Sequence, residues 1–164
     1  MEMCNGNPDE EGKEFMSTMI NSIRKMMESG EPIMPIAELL GFNIKSVQSG
    51  YSEVEMEMSG DHANTMGTLH GGIYCALADT AMGVAFATML GEGETLTTLE
   101  LKINYLKPVW NGKILAKGKV VKKGRMTGLV ECDVLDENAQ LVARASSTFM
   151  VISGEQAKNR TLPA

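Results

Sequence analysis

Between Asp61 and Glu92 the chain carries a single formal charge, Asp79. The stretch from Thr68 to Leu90 reads TLHGGIYCALADTAMGVAFATML and shows no polar stripe at the helical period. A helix that is apolar on every side cannot lie on a surface; other elements must enclose it. Asp79 is then the anomaly. A carboxylate in apolar surroundings is costly unless it is paired, hydrogen-bonded or protonated. Burial also raises a carboxyl pKa toward the range where it exchanges protons, so Asp79 is a candidate general base or nucleophile.

The flanking sequence supplies the enclosure. Residues 1–12 are polar and acidic and read as disordered. Phe15, Met19, Ile23, Met26 and Met27 recur at helical spacing, which predicts a peripheral helix over 13–29. Pro32 and Pro35 interrupt it, and a helical turn over 36–40 stops at Gly41. The period then changes to two. Phe42, Ile44 and Val47 suggest one strand; Val54, Met56 and Met58 alternate with Glu53, Glu55 and Glu57 in a second. A loop over 59–68 leads into the apolar helix. Strand-like runs follow at 95–106, 113–122, 126–136 and 140–152, separated by turn-forming residues around Asn111-Gly112, Lys123-Gly124 and Asp136 to Asn138. The order predicts an α+β domain. A curved antiparallel sheet of about six strands wraps one long helix, with an extra helix at the N-terminus. The expected division is an extension over 1–34, a domain over 35–153 and a loose tail over 154–164. Such a sheet covers only part of the helix. The small residues Ala76, Ala78, Ala81, Gly83 and Ala85 are therefore expected on a face closed by a second subunit.

At 164 residues the chain suits one domain with a real core. Its net charge of −6 argues against nucleic-acid binding. Yet residues 101–130 hold eight basic residues and no acidic one, half of them explicable as solvated strand faces and the rest pointing to a polyanionic ligand. Three cysteines without paired spacing and only two histidines, His62 and His70, predict neither a disulfide framework nor a metal centre. The first eleven residues lack a basic region followed by an apolar run, and the 68–90 segment lacks the flanking anchors of a membrane span. A cytoplasmic protein is the expectation.

Gly71 and Gly72 stand where a loop enters the helix, so their N–H groups are unpaired donors aided by the helix dipole. A carbonyl oxygen placed there would be polarised as in an oxyanion hole. Asp79 lies eight residues on, about 12 Å at ~1.5 Å per residue. One carbonyl cannot reach both groups of one helix. If both serve one substrate, Asp79 must come from a second subunit with an antiparallel helix, which calls for a homodimer with two shared sites.

Asn64-Thr-Met-Gly-Thr-Leu-His-Gly-Gly72, followed by Ile-Tyr-Cys-Ala-Leu-Ala-Asp79, resembles the signature of the hotdog-fold acyl-CoA thioesterases, of the phenylacetate-degradation (PaaI-like) or 4-hydroxybenzoyl-CoA thioesterase type. Thr98 to Pro108 resembles that family's third strand, and the likeness covers roughly residues 35–152. It implies hydrolysis of an aryl-acyl or medium-chain acyl-CoA to free acid and coenzyme A, with no separate cofactor. It implies that Asp79 activates water or attacks the thioester, that Gly71 N–H binds the carbonyl oxygen, and that Asn64 holds the water or the thiolate-side atoms. His70 fixes the loop or assists binding. Thr98 lies near the water, with Thr97 a one-residue alternative. Coenzyme A would be bound near Tyr105 and along Lys122, Lys123, Gly124, Arg125 and Thr127. The family also implies a dimer, with pairing into a tetramer left open.

Two other readings compete. A hotdog hydratase or dehydratase would pair the acid with a histidine, typically five residues later, but position 84 is Val and no His follows His70. A protein that binds acyl-CoA without turnover would share most of the features above; only an assay separates it.

Overall fold

The computed structural model describes residues 21, 23–25, 28 and 34–158. Asn21, Ile23, Arg24, Lys25 and Glu28 are helical; the rest of the helix expected over 13–29 and the end of the tail lie outside the described residues. Helix α1, Pro35–Leu40, begins with proline at its first position, where no N–H is needed, and ends at Gly41 in the left-handed region. Strands β1 (Asn43–Gln48) and β2 (Tyr51–Glu57) form a hairpin through Gly50. Helix α2 is Gly71–Ala87, followed by β3 (Thr95–Tyr105), β4 (Lys113–Lys123), β5 (Thr127–Asp136) and β6 (Leu141–Ile152). All neighbours pair antiparallel in one sheet, ordered β1-β2-β4-β5-β6-β3. The sheet curves around α2, as the apolar helix required.

The packing is set by two glycines. Ser52 and Gly118 face each other across β2 and β4, and both meet the helix at Ala81. Ser52 Oγ donates to the Ala81 carbonyl at 2.6 Å. A Cβ on Gly118 would stand 2.5 Å from the same oxygen, so only glycine lets the backbones approach so closely. On β5, Gly128 leaves room for the Phe86 ring, which stacks on Phe149 at 5.4 Å between centroids. Thr88 ties the far end of the helix to the first hairpin: its buried hydroxyl donates to the Ala85 carbonyl at 2.6 Å and accepts from Gly50 N–H at 2.8 Å.

One expectation needs correction. Ala78, Ala81 and Ala85 are fully buried within the chain, against the sheet. Their small size serves the helix–sheet contact and not a second subunit. The stripe left partly open is Ala76, Asp79, Thr80, Gly83 and Ala87, one helix face at i, i+3, i+4, i+7 and i+11.

Gly118→Ala should therefore destabilise the protein by the ~1–3 kcal/mol typical of overpacking, since the atoms it meets are helix backbone and cannot rotate aside. Urea denaturation checks this; a loss below ~0.5 kcal/mol would mean the helix–sheet spacing is not fixed here.

Candidate active site

Asp79 points from the open stripe of α2 into an apolar groove of about 1090 Å³. Its carboxylate is half-buried, and Thr98 Oγ1 of β3 donates to Oδ1 at 3.0 Å. Burial raises the Asp79 pKa above the usual carboxylate range, and the Thr98 hydrogen bond draws it partly back. No cation among the described residues forms an ion pair with it.

A β-bulge selects Thr98 over Thr97. Thr98 pairs with Phe149 and Glu100 with Thr148, so Leu99 is an extra residue. Below the bulge Leu96 packs on the core; above it Leu101 and Ile103 do. The inward parity switches at Leu99, and Thr98 turns in beneath Asp79. Strict alternation extended back from Leu101 and Ile103 would have turned Thr97 inward.

A second group gathers at the N-terminus of α2. The loop 62–70 is pinned by His70 N–H to the His62 carbonyl, 2.9 Å, and Leu69 N–H to the Val109 carbonyl, 2.8 Å. Asn64 knots this loop: its side-chain oxygen accepts from Met66 N–H at 2.9 Å and Thr68 N–H at 3.3 Å, and its amide donates to Thr68 Oγ1 at 2.9 Å. His70 is the N-cap of α2, its Nδ1 accepting from Gly72 N–H at 2.9 Å. In neutral imidazole the proton then sits on Nε2. The Gly72 donor is thus used, while Gly71 N–H, first of the helix, has no intrahelical acceptor. Tyr105 braces this turn: its hydroxyl donates to the Gly71 carbonyl at 3.1 Å and lies 3.2 Å from Cys75 Sγ. A side chain at position 71 would press on Tyr105, with Cβ 3.1 Å from its hydroxyl oxygen.

Within one chain the structure keeps these groups apart. Asn64, His70, Gly71 and Tyr105 stand at the start of the helix, Asp79 and Thr98 some two turns along it. Tyr105 and the basic hairpin are also separated. Tyr105 pairs with Ala143 and Thr127 with Met150, seven residues apart on β6, about 23 Å at ~3.3 Å per residue. Lys122, Gly124, Arg125 and Thr127 are exposed at the β4–β5 tip, whereas Lys123 is turned down onto Glu94 at 3.3 Å. Lys107 and Lys117 are likewise paired, with Asp136 and Glu53, so less of the basic stretch is free than its count suggested. The groove walls, including Met34, Leu96 and Phe149, were not identified from sequence; the i+4 and i+7 positions after Ala76 were the signal available for its floor.

The Asp79 environment has a pH signature. Its folded pKa is raised, so the folded state holds an extra proton between the ordinary carboxylate pKa and the folded one. Stability falls as pH rises through that window and stays lower above it. Asp79→Asn should melt no lower than the parent at neutral pH, and any advantage should vanish below the ordinary carboxylate range. A clearly less stable variant at neutral pH would mean the ionised carboxylate supports the fold.

The family described as the thioesterase superfamily matches residues 66–143. A putative esterase of Archaeoglobus fulgidus is 30% identical over 133 residues, covering 80% of this chain and 82% of that protein. The 1,4-dihydroxy-2-naphthoyl-CoA hydrolase of Listeria monocytogenes is 28% identical over 118 residues, 72% of this chain and 96% of that one. Among solved structures, a variant of the phenylacetic acid degradation protein PaaI of Thermus thermophilus superposes with a TM-score of 0.67 at 30% identity, covering 71% of this chain and 97% of that one. A helix wrapped by one antiparallel sheet, and relatives matched over most of their length, agree: the chain belongs to the thioesterase superfamily and is a hotdog-fold thioester hydrolase.

Proposed function

We propose that the protein hydrolyses an aryl-acyl or medium-chain acyl-CoA, with Asp79 as the catalytic carboxylate and Gly71 N–H as the oxyanion donor. The observation that carries this reading is a half-buried carboxylate with no cationic partner among the described residues, oriented by Thr98 and opening on an apolar groove. Asp79 takes a proton from water as the oxygen attacks the thioester carbon, or attacks that carbon itself; both routes need the ionised form. Gly71 N–H of a second subunit stabilises the developing oxyanion at the positive end of its helix. The tetrahedral intermediate collapses and the C–S bond breaks, releasing coenzyme A thiolate.

The shared site follows from length. Gly71 and Asp79 are about 12 Å apart on one helix at ~1.5 Å per residue, too far for one carbonyl. Two antiparallel helices bring each Asp79 to the other subunit's Gly71, Asn64 and Tyr105. The same operation carries Tyr105 toward the partner's basic hairpin, which supports a coenzyme A site built from Tyr105 of one subunit and Lys122 to Thr127 of the other. Basic side chains suit its phosphates. Support for a coenzyme A ester also comes from the Listeria relative, whose name specifies one. A hydratase is disfavoured, since position 84, where its histidine would stand, is Val and no His follows His70.

Asp79→Asn should lower thioester hydrolysis by about 10²–10⁴ while the protein stays folded. Thiol release measured over a panel of acyl-CoA esters checks it; activity within a few-fold of the parent would refute the assignment. Thr98→Val should shift the acid limb of kcat/KM to higher pH, because the hydrogen bond that favours the carboxylate is gone. Mixing Asp79→Asn with Asn64→Ala subunits tests the sharing. Each parent is poorly active, but the mixed dimer holds one site with both groups intact and regains up to about half the native activity per dimer. Verified subunit exchange without recovery would mean that Asn64 and Asp79 act within one chain or do not act together.

A further inference from the structure

We propose that the groove beside Asp79 is the acyl subsite, that the segment before β1 forms its outer wall, and that it admits uncharged acyl groups and rejects those ending in a carboxylate. This deepens the thioesterase reading above and rests on it.

The floor of the groove is the open face of α2, where Ala76, Thr80 and Gly83 carry no large side chain. Leu96 of β3 and Phe149 of β6 form one wall. The other comes from the opposite end of the sheet. β1 and β3 are the two edge strands, and the curvature leaves a seam between them over the helix. The chain entering β1 lies along that seam and lines the groove with Met34 and Ile36. Both are held by the backbone. The Met34 carbonyl accepts from Ala37 N–H at 3.0 Å and Glu38 N–H at 3.3 Å, and α1 is anchored by the buried Ala37 and Phe42. Ile36 is 44% exposed beside this opening, an apolar side chain in want of an apolar neighbour. The volume, about 1090 Å³, suits a ligand of drug-like size or larger.

Charge sets the second part. The groove is lined by Asp79, Glu92, Glu94 and Glu155 against one cation, Lys158. Lys158 is paired with Glu155, and Lys123 nearby with Glu94. An acyl chain ending in a carboxylate would bring a further negative charge into an apolar, acidic space where, among the described residues, no lining cation is left to meet it. A methyl or aryl terminus can pack on Met34, Ile36, Leu96 and Phe149.

The test compares ratios of kcat/KM. In the native protein pentanoyl-CoA should exceed glutaryl-CoA by at least about tenfold, as expected where a site rejects an unpaired charge. Met34→Trp should lower the decanoyl-over-butanoyl ratio by about tenfold or more, by filling the wall. Ile36→Lys, at a half-exposed position, should raise the glutaryl-over-pentanoyl ratio by supplying the missing cation, a gain that general damage to the fold cannot produce. Calorimetry of decanamide binding, which brings no charge and needs no turnover, should show binding to the native protein and its loss in Met34→Trp. Unchanged ratios in variants that melt like the parent, no decanamide binding by the native protein, or equal decanamide binding by parent and variant, overturn the subsite. Decanamide binding that is lost in Met34→Trp, with no hydrolysis of any ester by the native protein, keeps the subsite and overturns the thioesterase reading instead.

Discussion

The distance between α2 and its sheet governs everything downstream. Two backbones meet at Ala81, where β4 offers Gly118 with no side chain and β2 offers a hydroxyl to the helix carbonyl. A methyl group at position 118 would push the helix away and open the layer that Phe86, Leu77 and Met82 fill. Because the contact is so close, the helix cannot roll. Its rotation decides which residues face the sheet and which face the seam, and Asp79 faces the seam. The catalytic geometry proposed here is thus a consequence of glycine and serine placed on the strands, far from any reacting atom.

Under the proposed mechanism a fixed helix also divides the chemistry between subunits. Donors for a developing oxyanion exist only at the helix start, where N–H groups lack partners. A carboxylate can be held half-desolvated only further along, beside apolar walls. The two needs are met about 12 Å apart at ~1.5 Å per residue, so one chain holds two half-sites. His70 sharpens the division by taking the Gly72 N–H and leaving Gly71 as the donor free for a substrate. Tyr105 then holds the Gly71 carbonyl, so the peptide behind that donor is braced against β3.

Much of this was legible because two periods carry it. An apolar segment with no stripe required enclosure, and the alternating runs on either side supplied the strands in the observed order. What escaped was whatever depended on parity or on tertiary contacts. The β3 alternation read back from Leu101 and Ile103 favours Thr97; the family resemblance puts Thr98 first, but the extra residue at Leu99 that turns it inward is not foreseen. A bulge on an edge strand leaves no mark in hydrophobicity, since Leu99 reads like any strand residue. Small size alone could not tell which alanines face the sheet, because Gly118 and Gly128 accept small and large neighbours from the opposite side. Counting lysines could not show that Lys123 is spent on Glu94, since the partner lies 29 positions earlier.

The remaining polar groups show why Asp79 stands out. Ser52, Thr88 and Ser147 are each fully buried, and each donates to a backbone carbonyl, those of Ala81, Ala85 and Glu100. A hydroxyl can be satisfied this way because it carries its own proton. A carboxylate cannot; it needs donors, and every N–H around it in mid-helix is committed to the i−4 carbonyl. Among the described residues one threonine hydroxyl reaches it. The fold therefore holds Asp79 with fewer donors than an ionised carboxylate can use, and its pKa rises by burial. In the proposed mechanism a water molecule or a thioester entering the groove meets a carboxylate whose charge is incompletely met, and that deficit is what attack by Asp79, as base or as nucleophile, would draw on.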